Sequence, residues 1–141
     1  AAAAAAARAL DGRGATVYLA DGKSLYRAVA PGGAAPAEGP APAADLALFD
    51  VQVAGHLLAP EEGTPTFAKL RARYLPSSLA VAEGESREDR AADEAAATLS
   101  LGEELERLLR EAGLLEVFRG LDMPLLPVLH RMEERGIRID P

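Results

Sequence analysis

The sequence predicts a helix-rich α/β fold with few short strands, and two observations support that prediction. Residues 15–20 and 46–50 are rich in β-branched, aromatic or aliphatic side chains and are predicted to form short strands. Each is followed by a segment in which apolar residues recur every three to four positions, as they do along one face of an amphipathic helix. Alternation of strands and helices is typical of α/β folds.

The elements of the N-terminal half follow from local signals. Residues 1–10 are Ala-rich and are predicted to be helical. Asp21 precedes the next helix and can accept hydrogen bonds from its first turn. Residues 31–45 are rich in Pro, Gly and Ala and are predicted to form a flexible loop. Asp50 ends the second strand, and we expect it to cap the following helix, up to Pro60, rather than to act in catalysis.

Helical periodicity continues through the C-terminal half. Thr64 is the expected N-cap of a helix that starts at Pro65 and closes at Pro76. A longer helix is predicted to begin near Ser86, where Asp89 three residues on approximates a capping box. Its expected buried face comprises Leu101, Leu105, Leu108 and Leu109.

Gly113 is predicted to end that helix, and a last helix is predicted from residue 114 to residue 134. We expect it to be broken or kinked near Gly120 and its two prolines, because proline lacks the amide hydrogen of an α-helical turn. The apolar positions expected to share its face are Val117, Leu121, Leu125, Leu129 and Met132.

The composition of the chain argues against several classes of protein. Its 141 residues suffice for one domain at most, or for part of one. The net charge of −7 argues against tight autonomous binding to nucleic acid, which needs clustered Lys and Arg. The absence of cysteine excludes disulfides and thiolate metal sites. No apolar run approaches the roughly 20 residues of a membrane span, and the Ala tract lacks the pattern of a signal peptide. A reducing compartment fits the lack of cysteine without being required, and we expect a cytoplasmic location and no membrane contact.

Few polar residues stand out as candidate sites. Lys69, Arg71 and Arg73 lie close together on one predicted helix, and weak contact with a DNA backbone is the alternative to an ordinary solvated surface. His56 and His130 each stand alone at their positions, and we expect ordinary histidines rather than metal ligands. Composition and these residues alone indicate only a small acidic α/β domain.

The C-terminal segment carries a long and specific motif. Residues 114–141, LLEVFRGLDMPLLPVLHRMEERGIRIDP, resemble the junction between the 3′–5′ exonuclease-like domain and the polymerase domain of the bacterial DNA polymerase I family, family A. Residues 16–30 and 46–76 are similar to strands and helices of that exonuclease-like domain, so the resemblance covers roughly residues 15–141. The matching positions in the motif are Asp122, Pro124, Leu125, Pro127, Val128, Leu129, Met132, Glu133, Gly136, Ile137 and Asp140.

The resemblance implies a fold and a division of the chain. The family's exonuclease-like domain has a ribonuclease-H-like fold, in which helices flank a mixed sheet. Residues 1–112 would be the C-terminal half of such a domain in a degenerate form, and residues 113–141 would be a connector helix leading into the polymerase domain. The first strands of the domain would lie upstream of this chain. We therefore expect an open sheet edge and some self-association of the isolated fragment.

The resemblance also implies that 3′–5′ exonuclease chemistry is lost. Active members bind two divalent metals through several converging carboxylates. Where the family carries one of these carboxylates this chain has Leu25, and where the family has a tyrosine that orients the attacking water it has Arg90. Glu94, at the position of a further acid, remains as a metal-binding type of residue. We expect a vestigial domain without catalytic, metal-binding or cofactor-binding residues of its own.

By resemblance, the parent is a DNA-directed DNA polymerase, a nucleotidyltransferase that uses Mg²⁺ in DNA replication and repair. This portion would have a structural role, packing against the polymerase domain, and DNA would be a partner of the parent enzyme. Two alternatives remain open at the level of the sequence. One is a standalone non-catalytic module whose Leu-rich helices bind a partner protein. The other is an active exonuclease that uses Glu94 and Asp93 as unusual ligands.

Overall fold

The structure of the chain is a computed structural model that describes residues 16–29, 47–63, 65–75 and 86–136. Its elements are β1 (Thr16–Leu19), α1 (Gly22–Val29), β2 (Ala47–Asp50), α2 (Val51–Leu58), α3 (Phe67–Tyr74), α4 (Arg87–Glu111), α5 (Leu115–Val117) and α6 (Met123–Arg135). A 3₁₀ turn, Pro60–Glu62, follows α2, and a π-helical stretch, Phe118–Asp122, joins α5 to α6. The helix predicted for residues 1–10 and the loop predicted for residues 31–45 lie outside the described residues.

The two strands pair in parallel. Thr16 lies opposite Ala47, and the register continues to Leu19 opposite Asp50. Parallel neighbours need a crossover connection rather than a hairpin, and α1 lies within that connection. Both strands end at the same edge of the sheet, so the residues that follow them meet there. The helix-rich α/β prediction is confirmed, whereas the ribonuclease-H-like topology stays a prediction.

The hydrophobic core lies between the sheet and the long helix α4. Leu101, Leu105 and Leu109 are each 0% exposed, and Leu108 is partly buried against the core. This is the face that the leucine spacing predicts, because positions three and four apart share one side of a helix.

Three aromatic rings join the sheet to the C-terminal helical segment. The ring of Phe49 in β2 lies 5.2 Å from that of Tyr18 in β1, measured between centroids. The ring of Phe118, at the start of the π-helical stretch, lies 4.6 Å from Phe49 on the same measure. Tilted pairs at such distances contribute about 0.5–1.5 kcal/mol beyond the burial of their area. Although only 4% of the residues are aromatic, these three occupy the centre of the fold.

Side-chain caps fix where helices begin. The predicted caps at Asp50 for α2 and at Ser86 with Asp89 for α4 are both present, the latter as a reciprocal capping box. Helix α3 starts two residues later than predicted, because the hydroxyl of Thr66 accepts a hydrogen bond from the Lys69 amide at 3.3 Å. Thr64 lies outside the described residues. A threonine lies on each side of Pro65, and the sequence pattern of an N-cap fits either of them. The predicted helix start at Pro65 is wrong.

The apolar face that the sequence predicts for the last helical segment is exposed rather than buried. The five apolar residues expected to share that face are between 40% and 62% exposed: Val117, Leu121, Leu125, Leu129 and Met132. The buried residues are instead Leu115, Phe118, Leu126 and His130. The apolar positions that the sequence picks out are therefore the exposed ones.

The π-helical stretch changes which side of the last helical segment is buried. The amide of Met123 donates to the carbonyl of Phe118, five residues back. A π-helical turn holds one residue more than an α-helical turn, and it rotates the following residues relative to the preceding ones. The stretch includes Gly120, where the break was predicted, and Pro127 lies inside the following helix. Contact between α6 and α1 then decides which side of α6 is buried.

Candidate interaction surface

The exposed apolar residues of the C-terminal segment form one surface. We call it the α6 apolar face, and it consists of Leu121, Leu125, Val128, Leu129 and Met132. Their spacing of i, i+4, i+7, i+8 and i+11 places them on one side of the helix over about 17 Å of its length. Single exposed apolar side chains are normal on a protein surface, but a contiguous row marks an interaction site.

The opposite side of α6 is anchored to α1. Leu126 is 4% exposed and packs beside Gly22 at the start of α1. The Lys23 ammonium forms an ion pair with Glu133 of α6, at 2.5 Å between Nζ and Oε1. These contacts fix the rotation of α6 about its axis, so the α6 apolar face is held outward.

A cavity of about 380 Å³ opens beside the α6 apolar face. Leu125 and Leu129 line it with apolar surface, and Asp21, Asp50 and Asp122 line it with carboxyl groups. It lies where the residues that follow β1 and β2 converge, since Asp21 comes shortly after β1 and Asp50 ends β2. In α/β sheets this carboxyl edge of the strands is the usual place for binding sites.

Asp50 joins the starts of two helices. Its Oδ2 accepts a hydrogen bond from the Gly22 amide at 2.6 Å, and its Oδ1 accepts from the amides of Gln52 at 2.8 Å and Val53 at 3.0 Å. Burial raises the pKa of the Asp50 carboxyl, while the three backbone hydrogen bonds oppose that rise. The sequence predicts the cap on α2, but the bond to α1 depends on tertiary packing and was not predicted.

Asp122 has a different environment from Asp50. It is partly buried at the end of the π-helical stretch, and its Oδ2 is withdrawn from solvent. That oxygen accepts no hydrogen bond from the part of the chain that the structure describes. Leaving a buried acceptor without a donor costs about 1–3 kcal/mol, and more for a charged group. The cavity is thus lined by one carboxyl group whose two oxygens both accept backbone amides and by one whose Oδ2 accepts nothing from the described residues.

The positions assigned to lost exonuclease chemistry lie on two helices. Leu25 is partly buried on α1, whereas Arg90 and Glu94 are exposed near the start of α4. The sheet contacts α4 far from these two residues. The Tyr18 hydroxyl of β1 donates to Glu106 of α4, and Glu106 lies about 18 Å along the helix from Glu94 at 1.5 Å per residue. The structure therefore places Arg90 and Glu94 near each other and Leu25 on a different element.

Two kinds of feature are absent from the described residues. Within these ranges, no three His, Asp or Glu side chains lie close enough together to share a metal ion. None of the described helices combines the length and the apolar character that a membrane span requires.

Both histidines have a neighbour close in sequence. His56 is exposed, and its Nδ1 lies 3.2 Å from the carbonyl oxygen of Gly63. His130 is 3% exposed, and its Nε2 lies 3.4 Å from the Oε1 of Glu134. Glu134 stands at i+4 on the same helix, so the expectation that His130 stands alone is wrong.

The cations considered for DNA contact are partly neutralised. Arg71 pairs with Asp93 at 2.9 Å and Arg73 pairs with Glu62 at 2.6 Å, while Lys69 is exposed. The pair of Arg71 and Asp93 is mostly buried and joins α3 to α4, which the sequence did not predict. DNA contact through Lys69, Arg71 and Arg73 stays a prediction.

Together, the fold and its exposed helix define a small helix-rich α/β unit whose described residues leave one apolar face exposed. The chain matches no protein-family profile. It is 40% identical over 103 residues to DNA polymerase I of Treponema pallidum (strain Nichols), which covers 64% of this chain and 10% of the relative. It is 52% identical over 50 residues to DNA polymerase I of Rhizobium leguminosarum, which covers 36% of this chain and 5% of the relative.

These relatives confirm the resemblance to bacterial DNA polymerase I that the C-terminal motif indicates. The chain spans about a tenth or less of the length of the curated relatives it matches. The division into residues 1–112 and 113–141, and the exonuclease-like character of the first part, stay predictions.

Proposed function

We propose that the chain is part of a bacterial DNA polymerase I, in which it forms a degenerate 3′–5′ exonuclease-like portion with a structural role. The parent would be a cytoplasmic, Mg²⁺-dependent DNA polymerase of replication and repair, with DNA as its partner. Similarity to two proteins named DNA polymerase I supports this parentage. The motif in residues 114–141 supports the position at the junction with the polymerase domain.

The α6 apolar face is the observation that carries the structural role. It lies within the proposed connector, residues 113–141, on the side of α6 that faces away from α1. We propose that the polymerase domain of the same protein covers it. Burying the exposed part of each of these side chains would contribute on the order of 1 kcal/mol. A connector that is fixed on one side and apolar on the other is suited to set the orientation of two packed bodies.

Substitutions on the face test this role in the full-length parent. Leu125→Ser and Met132→Ser should lower its Tm and speed hydrogen exchange in α6, because both remove apolar contact from the proposed interface. Leu99→Ser is the matched control, since Leu99 is 50% exposed on α4, away from this face. Equal effects of all three substitutions would contradict the proposed packing.

The proposed loss of exonuclease activity rests on side-chain chemistry. Leu25 offers no oxygen to a metal, and Arg90 brings a positive charge four residues from Glu94. Asp93, the other acid considered, is already engaged by Arg71 at 2.9 Å. We extend the proposal to a ribonuclease-H-like fold for the complete domain, which the parallel pair of β1 and β2 supports.

A nuclease assay tests this part of the proposal. The parent and the isolated chain should release no nucleotides from 3′-labelled single-stranded DNA with Mg²⁺ or Mn²⁺. Metal-dependent release that disappears in Glu94→Ala would establish an active exonuclease instead.

The exposed face also supports a second candidate, a standalone module that binds another protein. Hydrogen exchange distinguishes the two. If the polymerase domain of the parent packs on the α6 apolar face, hydrogen exchange in α6 is slower in the parent than in the isolated chain. A standalone module would show added protection of α6 only when a separate partner protein is present.

We also propose that the isolated chain self-associates through its sheet. Among the described residues, β1 and β2 have only each other as neighbours, so each leaves one edge unpaired. Open edges template pairing with another chain. Sedimentation should show a mass that rises with concentration, and a strictly monomeric, folded sample would contradict this.

A further inference from the structure

Close to the α6 apolar face, the cavity at the ends of β1 and β2 combines two kinds of surface. Leu125 and Leu129 belong both to the face and to the cavity wall. Whatever covers the face therefore also covers the mouth of the cavity. Val53 and Leu126 add apolar surface, and the polar part of the wall is mainly acidic, with three aspartates against one lysine.

The hydrogen bonds of these acidic groups show which one is available. Both oxygens of Asp50 accept backbone amides, and Asp21 accepts from the amides of Lys23 and Ser24. Lys23 itself pairs with Glu133 at 2.5 Å. Asp122 differs, because its Oδ2 accepts nothing from the described residues although it is withdrawn from solvent. Asp122 is also one of the residues that line the cavity.

We propose that this cavity receives an arginine side chain from the surface that covers the α6 apolar face, with Asp122 as its partner. This rests on the proposed function in that it names the chemistry of the covering surface. The excess of carboxylates disfavours an anion, and within the described ranges no acidic cluster suits a metal ion.

Arginine suits both walls of the cavity. Its aliphatic stem packs on Leu125 and Leu129 while its head reaches the carboxylate. The guanidinium donates several hydrogen bonds in a planar fork that matches a carboxylate. A charged pair at the edge of an apolar interface fixes register, which a row of leucines alone does not.

Peptide binding to the 141-residue chain tests the proposal. The probe is an amidated helical 15-residue peptide with leucines along one face and one central arginine. Its control has citrulline in place of arginine, because citrulline keeps the shape and loses the charge. Calorimetry should show that the arginine peptide binds about tenfold or more tightly, since hydrogen bonds to charged groups are the stronger ones. This preference should weaken in high salt.

Variants locate the preference. Asp122→Asn should abolish the difference between the two peptides, whereas Glu116→Gln, an exposed acid outside the cavity, should keep it. Leu125→Ala should weaken the binding of both peptides alike.

Equal binding of the two peptides to the unmodified chain overturns the arginine proposal and leaves packing on the α6 apolar face intact. Binding of neither peptide also overturns it, while the Tm of the parent tests the proposed function separately. A preference that survives in Asp122→Asn overturns the assignment to that residue, and salt dependence tests the charge without any variant.

Discussion

The ring of Tyr18 lies directly on the backbone of α4 at Gly102. A Cβ atom at Gly102 would overlap Cδ1 of the ring, closer than any real contact allows. One turn further along α4, the Tyr18 hydroxyl donates to Oε2 of Glu106 at 2.9 Å. Both the ring and the hydroxyl of this one residue therefore join β1 to α4.

Gly102→Ala should destabilise the protein, because the methyl group forces the tyrosine ring and β1 away from α4. Overpacking of this kind costs about 1–3 kcal/mol. Urea denaturation measures the loss. Gly120→Ala is the matched control, since a Cβ there meets no heavy atom within 4 Å. A loss of equal size in both variants would show that close approach is not the cause.

Tyr18 should ionise unusually late in the folded protein. Burial, together with the hydrogen bond to Glu106 and its charge, raises the pKa of Tyr18 from 10.0 to about 12. Between these values the folded state holds a proton that the unfolded chain releases, so stability falls as pH rises through this window. An ultraviolet titration of tyrosinate should show a late component that disappears in Tyr18→Phe. Ionisation of Tyr18 near its ordinary pKa would contradict the buried hydrogen bond.

Asp50→Asn should destabilise the protein by about 1–3 kcal/mol, because the amide places an N–H group against a backbone donor. The pKa of Asp50 is raised from 3.8, so the folded state binds the proton more tightly than the unfolded chain. The stability contributed by Asp50 therefore decreases as pH rises from about 3.8 through the folded-state pKa. Denaturation of the unmodified protein and of Asp50→Asn across that pH range should show a difference in the free energy of unfolding that shrinks as pH rises. A difference that grows with pH would contradict burial as the main cause.

Ser86→Ala should cost about 1 kcal/mol by removing one half of the capping box of α4. The Ser86 hydroxyl accepts from the Asp89 amide at 3.1 Å, and Asp89 Oδ2 accepts from the Ser86 amide at 3.3 Å. Asp89→Ala removes the other half together with the 2.7 Å hydrogen bond that the Ser86 hydroxyl donates to Asp89 Oδ2, and should cost a similar amount. Circular dichroism and urea midpoints report the change. Unchanged stability in Ser86→Ala would show that the first turn of α4 does not limit unfolding.

Local signals in the sequence predict the parts of the fold that are decided locally. β-branched and aromatic residues mark β1 and β2, Asp50 marks a cap, and leucines every three to four residues mark the core face of α4. The buried side of α6 is not decided locally. The π-helical stretch shifts its register, and contact with α1 selects among faces of similar apolar content.

The candidate surface was harder to predict than the elements that form it. Leu121, Leu125 and Met132 have the spacing of a core stripe, and only the packing of the opposite side shows that they face outward. The cavity beside them is formed by residues far apart in sequence, so periodicity gives no sign of it. The motif in residues 114–141 shows that this segment resembles a known family, but it does not show that the apolar side of α6 is exposed.

The carboxylate of Asp50 also has a consequence for folding order and for length variation. It receives the first amide of α1 from Gly22, 28 positions away, and the first amides of α2. The start of α1 is complete only when β2 lies beside β1, whereas the cap of α2 is local, so Asp50 joins the two strand–helix pairs into one unit once the strands pair. Joining Val29 to Ala47 carries a closure entropy that grows only with the logarithm of the number of residues between them. Insertions or deletions there should leave this unit almost unaffected.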